Sequence, residues 1–242
     1  MSAALAMQFG CARGQSLDIT LDPINHNILC DKGYAFFVSV CLSLLSYAFS
    51  WWGPPCGLWI WLSTGTTLRA ASNTCGDLSK LVVRNANAIV ERMTTLLKLL
   101  TLRLVQYIVE QPMTSLMFRY RSFSALEGFC ARHNKHLQKL FLWLGWWGGA
   151  TPKPSKFIGM SPLLSLFRGV SKRPGKRGTS LVTKTTLKTV TRRNKQIQIY
   201  RVSGNRKLLK LSGVYPKKFC HHVAQAGKLL YLKRVCSMTG VW

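Results

Sequence analysis

The sequence predicts an α+β protein, with a helical, partly membrane-like N-terminal half followed by a small basic antiparallel β domain. Three observations lead to this prediction. All seven Asp and Glu residues lie within the first 127 of 242 positions, residues 33–68 carry no charge, and the hydrophobic periodicity changes from helical to strand-like after residue 150. A hydrophobic content of 48% excludes a wholly disordered basic chain.

Charge is distributed very unevenly along the chain. Residues 1–32, an N-terminal extension, hold two bases against three acids, whereas residues 69–242 hold 32 bases against four acids. After Glu127 the chain has 24 Lys and Arg and no acid. Like charges held close together repel, so we expect this stretch to find its counter-charge on a partner. A phosphate backbone is the first candidate and an anionic membrane surface the second.

The uncharged apolar segment 33–68 predicts a transmembrane span at residues 34–52. These nineteen residues match roughly the hydrocarbon thickness of a bilayer at about 1.5 Å per residue. Pro54 and Pro55 would end any helix, and four tryptophans between positions 51 and 61 resemble an interfacial cluster. The alternative is a core helix buried in a large assembly. If the segment spans, the basic C-terminal part faces the cytoplasm or matrix.

Residues 69–150 predict an amphipathic helical region. Polar residues recur from Lys80 to Thr101 at alternating steps of four and three, which indicates a long helix over residues 77–111. It would lie on a membrane surface, in a helical pair or against a globular core. A shorter helix is predicted at residues 124–144. The TPKPS sequence at residues 151–155 predicts a linker and a domain boundary.

Residues 151–242 predict a basic β domain with flexible loops. Residues 180–190 and 195–202 are rich in β-branched side chains and predict strands. Residues 203–205 predict a turn and residues 207–214 a return strand, while residues 228–235 fit a strand or a short helix. We expect an antiparallel unit with one apolar and one basic face.

The basic region also predicts phosphate contacts. Residues 172–180 (KRPGKRGTS) combine two glycines, which let backbone N–H groups turn toward an oxyanion, with four cations. A flexible, solvated loop without a fixed ligand is the alternative. The candidate RNA- or phosphate-binding residues are Arg168, Lys172, Arg173, Lys176, Arg177, Lys184, Lys188, Arg192, Arg193, Lys195, Arg201, Arg206, Lys207, Lys217 and Lys218.

Four aromatic residues are interleaved with these bases, namely Tyr200, Tyr215, Phe219 and Tyr231. They would either stack on nucleic-acid bases or fill the core of a small barrel.

Catalytic, cofactor and metal sites are not predicted. General acid–base chemistry needs positioned carboxylates, and the basic region has none, so we do not expect an enzyme.

Cys130, His133 and His136 offer three of the four ligands that structural zinc requires. Eight scattered cysteines indicate a reducing compartment, with a Cys30–Cys56 or Cys220–Cys236 bridge left open.

These observations together predict a structural, non-catalytic RNA-binding component of a large ribonucleoprotein. An organellar (mitochondrial) ribosomal protein fits best, on the matrix side, with ribosomal RNA, neighbouring proteins and anionic inner-membrane lipid as partners. The first alternative is a membrane-anchored viral or organellar matrix protein, at a host membrane or in a virion, whose basic domain binds a nucleocapsid or anionic lipid. A subunit of a respiratory or ATP-synthase complex is the second alternative.

Overall fold

The structure is a computed structural model that describes residues 16–149, 152–160, 162–167, 182–192, 195–204 and 215–239. Its helices are α1 (Asp31–Ser43), α2 (Thr64–Thr67), α3 (Leu81–Leu102), α4 (Arg121–Arg132), α5 (Leu163–Leu166) and α6 (Lys217–Thr239). Its strands are β1 (Phe49–Trp52), β2 (Gln106–Pro112), β3 (Gln138–Trp143), β4 (Pro154–Gly159), β5 (Val182–Arg192) and β6 (Lys195–Gly204). The predicted α+β class is confirmed, although the strands begin in the half that we expected to be helical.

Strands β1 to β4 form one sheet in the order β1-β2-β4-β3. Strand β1 runs parallel to β2, and the other two pairings are antiparallel. Strand β2 is buried on both faces, with Tyr107, Ile108 and Val109 each at most 1% exposed. Such a doubly buried strand lacks the alternation of apolar and polar residues that marks a half-exposed strand.

Helices cover both faces of this sheet. Tyr107, Val109 and Ile158 pack in one cluster with residues of α3 and α4. Ile108 and Phe157 belong to a second cluster, which includes Phe219 and Val223 of α6. Because successive strand residues point to opposite faces, β2 and β4 contribute to both cores, and the result is three layers.

The first predicted helix is correct in its N-terminal part and wrong at its end. Helix α3 buries an apolar stripe that includes Val83, Val90 and Leu97, but it ends at Leu102 instead of residue 111. Leu104 has φ +61, outside helical geometry, and the following residues enter β2. The β-branched pair Ile108-Val109 favours a strand, and pairing with two neighbours stabilises it.

The second predicted helix, at residues 124–144, is divided in the same way. Helix α4 ends at Arg132, Asn134 has φ +55, and Gln138–Trp143 forms β3. Lys139 and Phe141 are exposed, whereas Leu140 is half-buried and Leu142 is buried. This alternation has the period of a strand, which overrides the apolar content that suggested a helix.

The membrane-like part of the predicted fold is not supported. Residues 34–52 are split between α1, which is 13 residues long, and β1. Tyr47 has φ +66 in the turn between them, and Phe49 to Trp52 pair with β2. Within the described ranges, every helix is too short or too polar to cross a bilayer.

Two predictions beyond residue 150 also differ from the structure. Pro154 and Ser155, expected in a linker, begin β4, which joins the sheet of the N-terminal half. Residues 203 and 204, expected in a turn, continue β6. The segment 228–235 belongs to α6, so its helical alternative is correct. The predicted return strand at residues 207–214 lies outside the described residues.

Candidate nucleic-acid interface

Eight of the fifteen predicted phosphate-binding residues lie outside the described part of the chain. They are Arg168, Lys172, Arg173, Lys176, Arg177, Arg193, Arg206 and Lys207. The predicted phosphate-binding loop at residues 172–180 also lies outside the described residues. The other seven are divided between the β5–β6 hairpin and the start of α6.

The register of the hairpin places all of its charged positions on one face. Strands β5 and β6 pair in antiparallel fashion with a bulge between Val182 and Lys184. Residues directly opposite each other share a face, and each strand alternates with a period of two. The face carries five bases: Lys184, Lys188, Arg192, Lys195 and Arg201. The other face carries only uncharged residues, mainly Thr and Gln.

This segregation partly agrees with the predicted pattern of one basic and one apolar face. The basic face is present, but Ile197 and Ile199 share it, because Ile197 pairs with Val190 and Ile199 with Lys188. The opposite face includes Gln196, Gln198 and Tyr200, so it is uncharged and not apolar.

Lys217 and Lys218 lie in the first turn of α6 and are exposed, while Phe219 and Cys220 beside them are buried. Cations at a helix N-terminus face the positive end of the helix dipole, which is unfavourable without a counter-charge. The location therefore favours an anion from outside the helix.

Two of the four interleaved aromatic residues belong to the protein core. Phe219 is 1% exposed and contacts the rings of Trp147, Phe157 and Phe167. Tyr215 lies edge-on to Trp51. The core alternative was therefore correct for these two, but they pack on the four-stranded sheet and not in a small barrel.

A buried carboxylate cluster lies on the α6 face of the same sheet. Glu110 is 5% exposed, and it accepts hydrogen bonds from the Ser155 hydroxyl at 2.7 Å and the Tyr215 hydroxyl at 2.8 Å. The Lys153 amino group lies 3.6 Å from the same carboxylate. Burial, followed by the charge of Glu110, raises the pKa of Tyr215 well above its usual value. We call Glu110, Lys153, Ser155 and Tyr215 the carboxylate cluster.

The carboxylate cluster lies where β1 and β2 end. Both parallel strands run toward this edge, and Cys56 follows β1 in a loop whose Pro54 carbonyl accepts a hydrogen bond from Gln111 at 2.7 Å. Burial and then Glu110 raise the pKa of Cys56, while Lys153 opposes this effect. The thiol is therefore protonated at neutral pH.

An open cavity of about 300 Å³ lies between this loop and α3. Pro55, Leu58 and Trp59 line it from the loop, and Val82 and Ile89 line it from α3. Arg69 packs its guanidinium 3.5 Å from the Trp59 ring centroid and donates to the Leu58 carbonyl and the Asn87 side chain. These bonds hold the loop against α3.

The cysteine and histidine groups singled out in the sequence have ordinary structural roles where they are described. Cys130 is buried with its sulfur 3.5 Å from the Tyr107 hydroxyl. Cys30 and Cys56 are both free, so that bridge is absent, while the side chain of Cys236 is not described. In the described segments, His, Cys, Asp and Glu side chains form no group able to hold a metal ion.

Sequence reasoning missed a second group of cations. They are Lys139, Lys156 and Arg119: burial, followed by the charges of Lys139 and Arg119, lowers the pKa of Lys156. The alternation of residues 139–143 was the signal that could have located this group.

Comparison of the chain with protein families, with curated proteins and with solved structures gives no match.

Proposed function

We propose that this protein is a non-catalytic RNA-binding component of a ribonucleoprotein, and that the β5–β6 hairpin is its main contact with the phosphate backbone. The observation that carries the proposal is the register, which gathers five bases on one face and leaves the other face uncharged. A charged face of this kind suits a linear array of phosphates, because each cation that meets a phosphate releases condensed counterions.

The carboxylates of the chain support the same proposal. Five of the seven form ion pairs with a Lys or Arg between positions 80 and 153: Asp77, Asp31, Glu91, Glu127 and Glu110. Asp18 and Asp22 accept hydrogen bonds from Thr20 and Asn25 in local turns. The supply of internal counter-charge is thus largely used before the hairpin begins.

We infer an RNA partner of ribosomal type and a mitochondrial, matrix-side location from composition alone. A strongly basic chain with one-signed charge over its last 115 residues is typical of proteins that fill spaces between RNA helices. The membrane-anchored alternative loses its main argument, since residues 34–52 form a short helix and a strand.

Charge relocation in the full-length chain tests the proposal. The variant Lys184→Gln/Lys188→Gln/Arg201→Gln should bind single-stranded RNA more weakly than the wild type. Its slope of log affinity against log salt should fall by about two, at roughly 0.7 per lost phosphate contact.

The matched control restores the net charge on the opposite face. Thr185→Lys, Thr189→Lys and Gln198→Lys are added to the triple Gln variant, so the hairpin regains three cations on its uncharged face. Recovery of wild-type affinity would show that total charge alone matters and would contradict the assigned face. Vesicles rich in phosphatidylserine serve as competitor, and complete displacement of RNA by them would favour the membrane-surface alternative.

A second candidate function, binding of a small ligand, is favoured by the loop that follows β1. Ligands of α/β sheets bind outside the carboxyl ends of parallel strands, and the loop that follows β1 at such an edge supplies Pro55, Leu58 and Trp59 to the cavity. A thermal-shift screen of nucleotides and aromatic metabolites tests this candidate. Ala86→Leu fills the cavity wall, so a true ligand should stabilise the wild type but not this variant.

A further inference from the structure

One outer corner of the four-stranded sheet combines unneutralised cations with an exposed aromatic ring. Strand β3 is an edge of the sheet, and its Phe141 pairs with Lys156 of β4. Lys139 lies two residues before Phe141 on the same face, and Phe118 and Arg119 approach from the turn before α4. We call Phe118, Arg119, Lys139, Phe141 and Lys156 the edge patch.

Lys156 is the centre of the edge patch. Its amino group lies 5.3 Å from the ring centroid of Phe118 and 5.3 Å from that of Phe141. Burial, followed by the charges of Lys139 and Arg119, lowers its pKa. Two aromatic faces stabilise the ammonium group partly, but they do not replace a counter-ion.

Among the described residues, the acid that acts on Lys156 is already engaged. Glu127 pairs with Lys139 at 2.7 Å, and no described carboxylate pairs with Lys156 or Arg119. Three cations therefore share one carboxylate at this corner. A half-buried lysine in such a field is costly for the isolated protein, and an external anion would relieve this cost.

The exposed aromatic ring of Phe141 distinguishes the edge patch from a site for free phosphate. The ring is 44% exposed, whereas Phe118 on the other side of Lys156 is 7% exposed. A ring fixed by a strand, open to solvent and beside cations suits a nucleobase, because every base has a π-face to stack on.

We propose that the edge patch binds single-stranded RNA, with one base stacked on Phe141 and an adjacent phosphate held by Lys156 and Arg119. This inference rests on the proposed function, because it takes RNA as the partner. It goes beyond that function in placing a second contact on the folded sheet, where bases are read by stacking and not by charge alone.

Two probes separate stacking from charge. Binding of the full-length chain is measured with a ten-nucleotide oligouridine and with an abasic oligomer of the same length. Phe141→Leu keeps apolar volume and removes the ring, so we expect roughly tenfold weaker binding of oligouridine and unchanged binding of the abasic strand. Lys156→Met should weaken binding of both probes.

Phe129→Leu is the matched control. Phe129 also packs under a lysine, with the Lys98 amino group 5.9 Å from its ring centroid, but it lies outside the edge patch. This variant should bind both probes like the wild type. If Phe141→Leu also does so, while the hairpin variant binds weakly, the edge patch is wrong and the proposed function stands. If the wild type binds neither probe, both proposals fail.

Crosslinking gives a result that does not depend on how the variants fold. Oligomers with 4-thiouridine are irradiated with the wild-type chain, and crosslinked peptides are located by mass spectrometry. A crosslink at Phe141 supports the edge patch, and crosslinks confined to residues 182–204 overturn it.

Discussion

Two lysines three residues apart have opposite environments in this protein. Lys153 reaches the α6 face of the sheet, where it pairs with buried Glu110 and lies 4.9 Å from the Tyr215 ring centroid. Lys156 lies on the other face between two phenylalanines and near two more cations. The first lysine is neutralised by the fold and the second is not. Position relative to the few acids, and not basicity, therefore separates structural cations from those available to a partner.

The largest effect on stability should come from removing Glu110, the carboxylate that neutralises Lys153. Glu110→Ala leaves the partly buried Lys153 amino group without its carboxylate and removes the acceptor of the Tyr215 and Ser155 hydroxyls. Loss of one partner of a buried charge pair costs about 3–5 kcal/mol, so we expect a fall of this size in the free energy of unfolding, measured by urea denaturation. Glu110→Gln keeps an acceptor oxygen and should lose less. A change below about 1 kcal/mol for the Ala variant would show that the cluster does not hold α6 to the sheet.

The two lysines should respond in opposite directions to the same substitution. Lys153→Met leaves Glu110 with two neutral donors and should lower the free energy of unfolding by about 1–3 kcal/mol. Lys156→Met removes a cation from a repulsive field while keeping its apolar stem, so it should leave stability unchanged or raise it slightly. Thermal unfolding of the two variants side by side measures the contrast. Equal losses would mean that Lys156 is a structural cation like Lys153.

Part of this comparison could be predicted from the sequence, and part could not. The absence of acids after Glu127 is visible in the printed chain, and so is the tendency of residues 180–202 to form strands. The pairing register is not visible, because a shift by one residue would move the bases to different faces. The bulge between Val182 and Lys184 shows how local such a shift can be.

The sheet itself was hidden by apolar content. Residues 49–52 and 106–112 read as continuations of helices because β1 and β2 are short and rich in large apolar side chains. Short apolar runs do not distinguish a buried strand from a buried helix, so length and tertiary pairing decide. Glu110 and Cys56 come together only through the parallel pairing of β1 and β2, which links residues more than 50 positions apart.

A smaller effect is expected at Glu127, the acid that pairs with Lys139 of the edge patch. Glu127→Gln removes the carboxylate that pairs with Lys139, and exposed pairs of this kind contribute less than about 1 kcal/mol. Stability should therefore change little, while single-stranded RNA should bind about two- to threefold more tightly, because Lys139 becomes free for phosphate. Fluorescence anisotropy at two salt concentrations measures the gain. Glu91→Gln provides the control, since Glu91 pairs with Arg121 outside the edge patch.

The smallest effect, and the most specific, is the pH dependence of Lys156. Its pKa in the folded protein lies below the value of about 10.4 expected for an unfolded chain, first through burial and then through Lys139 and Arg119. Between these two pKa values the unfolded chain binds more protons than the folded one, so stability rises with pH in this window. Other groups, such as buried Cys41 with a pKa raised to about 11, act in the opposite direction.

The measurement is therefore the difference in the free energy of unfolding between the wild type and Lys156→Met, followed by urea denaturation from pH 8 to 10.5. The wild type should gain on the variant as pH rises, and bound RNA should reduce this gain, because a phosphate beside Lys156 restores its pKa. A difference that is flat with pH would place Lys156 in ordinary solvent and remove the contrast with Lys153.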